Sequence, residues 1–118
     1  PMHNYSAIFF EGVPLFNKPG QTETPEKAAE IARALGSSKA ILLRGHGAVV
    51  VGASIPEVCM LSLYLEESAR LQVEAMKLGE PIYLSREEAE KIARQTFKAA
   101  STARAWDHFK SLLKNPSR

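Results

Sequence analysis

Ala40-Ile41-Leu42-Leu43-Arg44-Gly45-His46-Gly47-Ala48-Val49-Val50-Val51-Gly52 is the stretch on which the fold turns. Two unbroken apolar runs stand on either side of Gly-His-Gly. Continuous runs of this length belong to strands buried on both faces, where an alternating pattern would mark a half-solvated one. The linking residues read as the turn of a hairpin or as a tight bend within one broken strand, because glycine adopts backbone conformations closed to other residues. Gly45-His46-Gly47 leads into a strand and not into a helix N-terminus, which disfavours a dinucleotide-binding loop.

Upstream, Ser6-Ala7-Ile8-Phe9-Phe10 is a short β-prone run stopped by Glu11-Gly12. Val13-Pro14-Leu15-Phe16 follows as a second extended segment, and Pro14, which has no N–H, assigns it to a sheet edge or outside the ladder. Residues 17–24 read as a loop around Pro19-Gly20. A helix is predicted over 25–35. Thr24 caps it, Pro25 fits its first position and Glu26 suits the positive end of its dipole. Ala28, Ile31, Ala32 and Leu35 recur at helical spacing before Gly36 ends the pattern.

Downstream, Ser54-Ile55-Pro56-Glu57 is a capping box that opens a long helix running to about Leu78. Val58, Leu61, Leu65, Ala69, Val73 and Met76 form its apolar stripe, and Glu66, Glu67, Arg70 and Glu74 lie on other faces. Gly79 stops this helix and Pro81 forbids restarting it. Ser85-Arg86-Glu87-Glu88 is a second capping box, opening a helical region with Ala89, Ile92, Ala93, Phe97 and Ala100 on one side. The pattern continues, straight or bent, through Trp106, Phe109 and Leu113, and residues 115–118 read as a frayed end. The predicted class is therefore α/β, a layered α/β/α domain whose sheet is mostly antiparallel or mixed.

Composition narrows the function classes. Hydrophobic residues at 45% and charged residues at 24% exclude a disordered or fibrous chain. The net charge of +2 is spread without a basic block, so the pI of 8.9 does not imply nucleic acid. Cys59 is the sole cysteine, which excludes an internal disulfide and a cysteine-based zinc cluster and reads as a small packing residue. No apolar run reaches the roughly 20 residues a membrane span requires. No signal-peptide pattern opens the chain, so the cytoplasm is the expected compartment. The chain opens on Pro1 and not on Met, which points to a segment upstream.

Among residues able to carry chemistry, His46 is the most informative. A histidine between two glycines at the end of buried strands can be aimed well, and neutral imidazole is a common metal ligand. The competing reading is a turn histidine bonded to a nearby carbonyl. A catalytic zinc-type site needs about three protein ligands and an open position. His3 and His108 are the remaining histidines, and nothing in the spacing joins them to His46. Glu66-Glu67 and Glu87-Glu88 are explained by solvated helix faces and capping, and Ser54 and Ser85 by capping. Arg44 either faces an anion or pairs with a carboxylate.

Lys39 to Gly52 resembles the LL-x-x-HG-x-x-x-x-G segment of the class II aldolase/adducin family, which includes fuculose-phosphate aldolase and ribulose-phosphate 4-epimerase. Pro1 to Phe16 is similar to that family's strand pair, and Thr24-Pro25-Glu26 to the start of its next helix. Leu63-Tyr64-Leu65-Glu66-Glu67-Ser68-Ala69-Arg70 resembles its LE-x-x-A helix, Leu84-Ser85-Arg86-Glu87-Glu88 its LS-x-E-E start, and Arg104-Ala105-Trp106-Asp107-His108-Phe109 an Arg-x-Trp tail of its aldolase and aromatic-acid decarboxylase members.

The resemblance implies that residues 1–118 are the C-terminal part of a single class II aldolase-like domain, a partial domain in themselves. It implies a lyase that cleaves a C–C bond through an enolate or enediolate stabilised by a divalent ion, usually zinc. His46 corresponds to the third histidine ligand. The family's His-x-His pair and its acid/base match nothing here, so the resemblance assigns no catalytic residue, and it implies a piece of a longer protein or a member unable to hold metal. The implied substrate is a small molecule, a sugar phosphate or an aromatic or hydroxy acid, with the tail favouring a decarboxylase. The implied assembly is a homotetramer, with neither nucleic acid nor membrane as partner. A non-catalytic adducin-like module and a sugar-phosphate 4-epimerase are the alternatives.

Overall fold

The computed structural model describes residues 1–20 and 22–114. Its sheet is mixed and has three strands, β1 (Leu15–Phe16), β2 (Ala40–Leu43) and β3 (Gly47–Val50), in that order. β1 runs parallel to β2, with Leu15 opposite Leu42, and β2 runs antiparallel to β3, with Ala40 opposite Val50. The helix α1 (Pro25–Leu35) makes the crossover from β1 to β2. β1 is an edge strand, as Pro14 required: it needs no N–H from Pro14, whose carbonyl accepts from the Leu42 N–H at 2.8 Å.

Side chains of a strand alternate between faces, and β2 uses both. Ile41 and Leu43 pack with Phe16 and the α1 residues Ile31 and Leu35 on one face. Ala40 packs with Phe9 and Leu61 on the other, where α2 (Ile55–Leu78) lies. The result is the expected α/β/α layering. Burial on both faces is incomplete, however. Leu42 is 42% exposed and β3 is at most half-buried, because α2 covers only part of its face of the sheet.

The run Ser6–Phe9 is a 3-10 helix, not the strand its composition suggests. Local hydrogen bonds replace a ladder there. Ser6 Oγ accepts from the N–H groups of Met2 and His3, and Gly12 N–H donates to the Phe9 carbonyl. Ser6, Ala7 and Phe9 are buried, so the apolar content of the run is satisfied by packing without a partner strand. The expected strand pair is therefore a 3-10 helix followed by one short strand.

The helices follow their punctuation. Thr24 and Ser54 accept from the N–H groups of Lys27 and Glu57, and α1 and α2 begin immediately after them. Gly79 ends α2. Of the expected stripe on α2 only Leu61 is buried, with Val58 and Leu65 half-buried and Val73 and Met76 more than half exposed; Met60, outside the stripe, is buried as well. Cys59 is half-buried and free. Ser85 and Glu88 complete a reciprocal capping box at the start of α3 (Arg86–Thr96). The chain then breaks at Phe97 and resumes as α4 (Ala99–Lys114), which packs on α2. Ala89 and Ala93 are buried, and Ala100 is exposed. The expected frayed end at 115–118 lies outside the described residues.

Ile41 is wholly buried, so Ile41→Ala is expected to cost about 2–5 kcal/mol, against clearly less for Leu42→Ala, in chemical denaturation. Glu57 supplies a pH-dependent term. The Ala53 N–H and, secondarily, Lys39 hold its carboxyl below the usual value of 4.5. A carboxyl depressed on folding stabilises the fold above its unfolded value, and that contribution disappears as pH falls through the folded one. The stability difference between the parent and Glu57→Gln is therefore expected to be full at neutral pH and to shrink below about 4.5, measured by denaturation against pH.

Candidate functional site

The hairpin between β2 and β3 has a three-residue loop, Arg44-Gly45-His46, closed by the Leu43–Gly47 pair. His46 N–H donates to the Leu43 carbonyl at 3.0 Å. Gly45 has φ 70° and Gly47 φ 144°, conformations that an L side chain rarely adopts, and a Cβ at either would meet nothing within 4 Å. The glycines are thus required by backbone geometry and not by close approach. His46 is exposed, and among the described residues no side-chain hydrogen bond ties its imidazole.

The loop is anchored from β1. Arg44 N–H donates to the Phe16 carbonyl at 3.1 Å, and its guanidinium Nη1 donates to Asn17 Oδ1 at 3.0 Å. Arg44 thus bonds a neutral amide oxygen, and among the described residues it pairs with no carboxylate. Its effect is to brace the turn against the end of β1.

A cleft of about 820 Å³ begins beside this turn. Gly47 and Ala48 lie along it with Leu42 and Val50 from the sheet, facing Leu65, Glu66 and Gln72 on α2. The volume falls in the range of small-molecule sites, which are mainly apolar with a few polar groups. Ser62 and Ser68 also line the cleft, but their hydroxyls donate to α2 carbonyls of Val58 and Tyr64. Glu66 is the one acidic side chain among the described lining residues. Sequence reading placed Glu66 on a solvated face, and only the approach of α2 to the sheet brings it to the cleft. Its position in the Leu65-Glu66 segment was the available signal.

The three histidines do not converge. His3 packs edge-on to Tyr5 beside the 3-10 helix, with Nε2 buried and unpartnered, and His108 is exposed on α4 against Phe109. Among the described residues no three His, Cys, Asp or Glu side chains are grouped to hold a metal ion. The donor set of this chain therefore does not fit a metal centre by itself, and His46 offers one ligand at most. No described helix is long and apolar enough to cross a membrane.

Comparison with known proteins follows the same lines. Residues 1–73 match the family model described as the class II aldolase and adducin N-terminal domain. A decarboxylase, tropJ of Talaromyces stipitatus, is 39% identical over 55 residues, which cover 47% of this chain and 19% of that protein. An aldolase II superfamily protein from Pseudomonas syringae superposes with a TM-score of 0.80 at 22% identity, covering 98% of this chain and 48% of its own. L-fuculose 1-phosphate aldolase from Glaciozyma antarctica gives a TM-score of 0.74 at 22% identity, with coverage of 100% and 47%. The chain thus spans about half the length of these two solved structures and about a fifth of the curated relative.

The turn geometry carries its own prediction. Gly45→Ala is expected to destabilise the protein by about 1–2 kcal/mol through left-handed backbone strain alone, and Gly45→Asn by less, both read from denaturation midpoints.

Proposed function

Because the chain belongs to the class II aldolase and adducin family, we propose that it is the C-terminal part of one domain of a C–C bond lyase, of the decarboxylase or aldolase type. The observation that carries this reading is His46, held on a braced hairpin turn next to a cleft of small-molecule size. In this proposal His46 is one ligand of a divalent metal ion, zinc by preference. The other ligands, and with them the acid/base that the family resemblance implies, are proposed to come from outside these residues, since among the described residues no three His, Cys, Asp or Glu side chains are grouped to hold a metal ion.

The residues of this chain have positioning and binding work. The β2–β3 loop presents an imidazole that no side-chain hydrogen bond ties among the described residues, which suits it to metal ligation. Leu42, Ala48, Val50 and Leu65 give the cleft an apolar lining, while Glu66 and Gln72 offer polar contacts to a small substrate. The decarboxylase match in Talaromyces and the Arg104-Ala105-Trp106 tail favour an acid over a sugar phosphate as substrate. The proposed setting is a cytoplasmic homotetramer, with exposed apolar side chains on α2 and α4, among them Val73, Met76 and Phe109, available for subunit contact.

Metal analysis of the intact protein tests the assignment. His46→Ala is expected to leave folding unchanged, because the side chain is exposed, and to weaken metal affinity by at least about 100-fold. Equal metal stoichiometry and affinity in parent and variant would falsify the role of His46. A parent protein that binds no divalent ion would favour a non-catalytic module instead.

A further inference from the structure

A second cavity, of about 500 Å³, lies where α4 packs across the N-terminal half of α2. No residue of the β2–β3 loop lines it, so it is separate from the surroundings of His46. Three aromatic side chains, Tyr64, Phe97 and Trp106, border it, above the almost fully buried Met60 and Leu61. Tyr64 is itself held in place. Its ring stacks on Tyr5 with centroids 4.9 Å apart and planes 2° from parallel, and meets the edge of Phe97 at 5.4 Å. A fixed aromatic wall favours a flat ring, which gains offset-stacked or edge-to-face contacts there.

The polar end of the cavity is Lys39 with Glu57, paired at 3.2 Å. Both carboxylate oxygens of Glu57 are already engaged, Oε1 by Lys39 and Oε2 by the Ala53 N–H at 2.8 Å. Lys39 spends one of its three ammonium protons on that pair and keeps the others. Among the described lining residues it is the only cation. The cavity therefore combines a planar apolar interior with one charged donor that has capacity to spare.

We infer that this cavity is a second small-molecule site, which takes a planar aromatic carboxylate with its ring among Tyr64, Phe97 and Trp106 and its carboxylate on Lys39. The inference does not depend on metal binding at His46. Size supports it, since 500 Å³ falls within the range of small-ligand sites.

Calorimetric titration of the intact protein with sodium benzoate, and with benzamide as its uncharged counterpart, tests the proposal. Saturable benzoate binding is expected, unchanged in His46→Ala. Ala103→Leu, which fills the cavity from an exposed position on α4, is expected to abolish it without altering the unfolding transition. Lys39→Met is expected to weaken benzoate about tenfold, the loss of one charge-assisted hydrogen bond, and to leave benzamide binding unaffected. The proposal is overturned by the absence of saturable binding. It is equally overturned by benzoate binding that survives Ala103→Leu, that is lost in His46→Ala, or that is indifferent to Lys39→Met.

Discussion

β2 has neighbours on both edges and both faces, and β1, β3, α1 and α2 take their places around that strand. On one edge its Leu42 N–H reaches the Pro14 carbonyl, and the Arg44 N–H just beyond it reaches Phe16; on the other edge it pairs residue for residue with β3. Its faces are equally committed, Ile41 and Leu43 toward α1 and Ala40 toward Phe9 and α2. Shifting β2 by one residue would exchange these two sets of side chains, so its register is set by both cores at once. The loop that follows β2 inherits that precision. His46 sits three residues past the last residue of a strand that cannot slide.

The same strand explains why a cleft opens beside His46. Ala40 is small enough to let the first turns of α2 approach the sheet, and Met60 and Leu61 are buried there. Further along, α2 leaves Leu42 and β3 only partly covered. The gap between them holds Glu66 and Gln72 opposite the sheet. Uncovered apolar surface of this kind marks a place where a ligand or a partner surface can dock.

Legibility in the sequence followed the range of the interactions involved. Thr24, Ser54 and Ser85 bond to N–H groups three residues ahead, so the starts of α1, α2 and α3 could be read from neighbours alone. The Gly-His-Gly turn and the edge position of Pro14 were readable for the same reason, since each is a constraint on the residue's own backbone. Ser6–Phe9 was misread. β-prone side chains are satisfied by any burial, and here local hydrogen bonds from Ser6 and Gly12 compete successfully with a ladder. Arg44 was undecided because its acceptor, Asn17, is distant in sequence.

By itself, the sequence determined the layered class, the starts of α1, α2 and α3 and the identity of His46 as the residue to watch, but not the break at Phe97 that separates α3 from α4. These rest on periodicity, caps and turn chemistry, which act over a few residues. Only the tertiary structure decided what surrounds that histidine: an arginine braced on an amide, a cleft with one acidic wall residue, and two other histidines placed elsewhere. It also made the aromatic cavity between α2 and α4, whose rings come from α2, the break between α3 and α4, and α4. Such juxtapositions depend on how far α2 and α4 stand from the sheet and from each other, a quantity set by the packing of whole side-chain layers and carried by no local pattern.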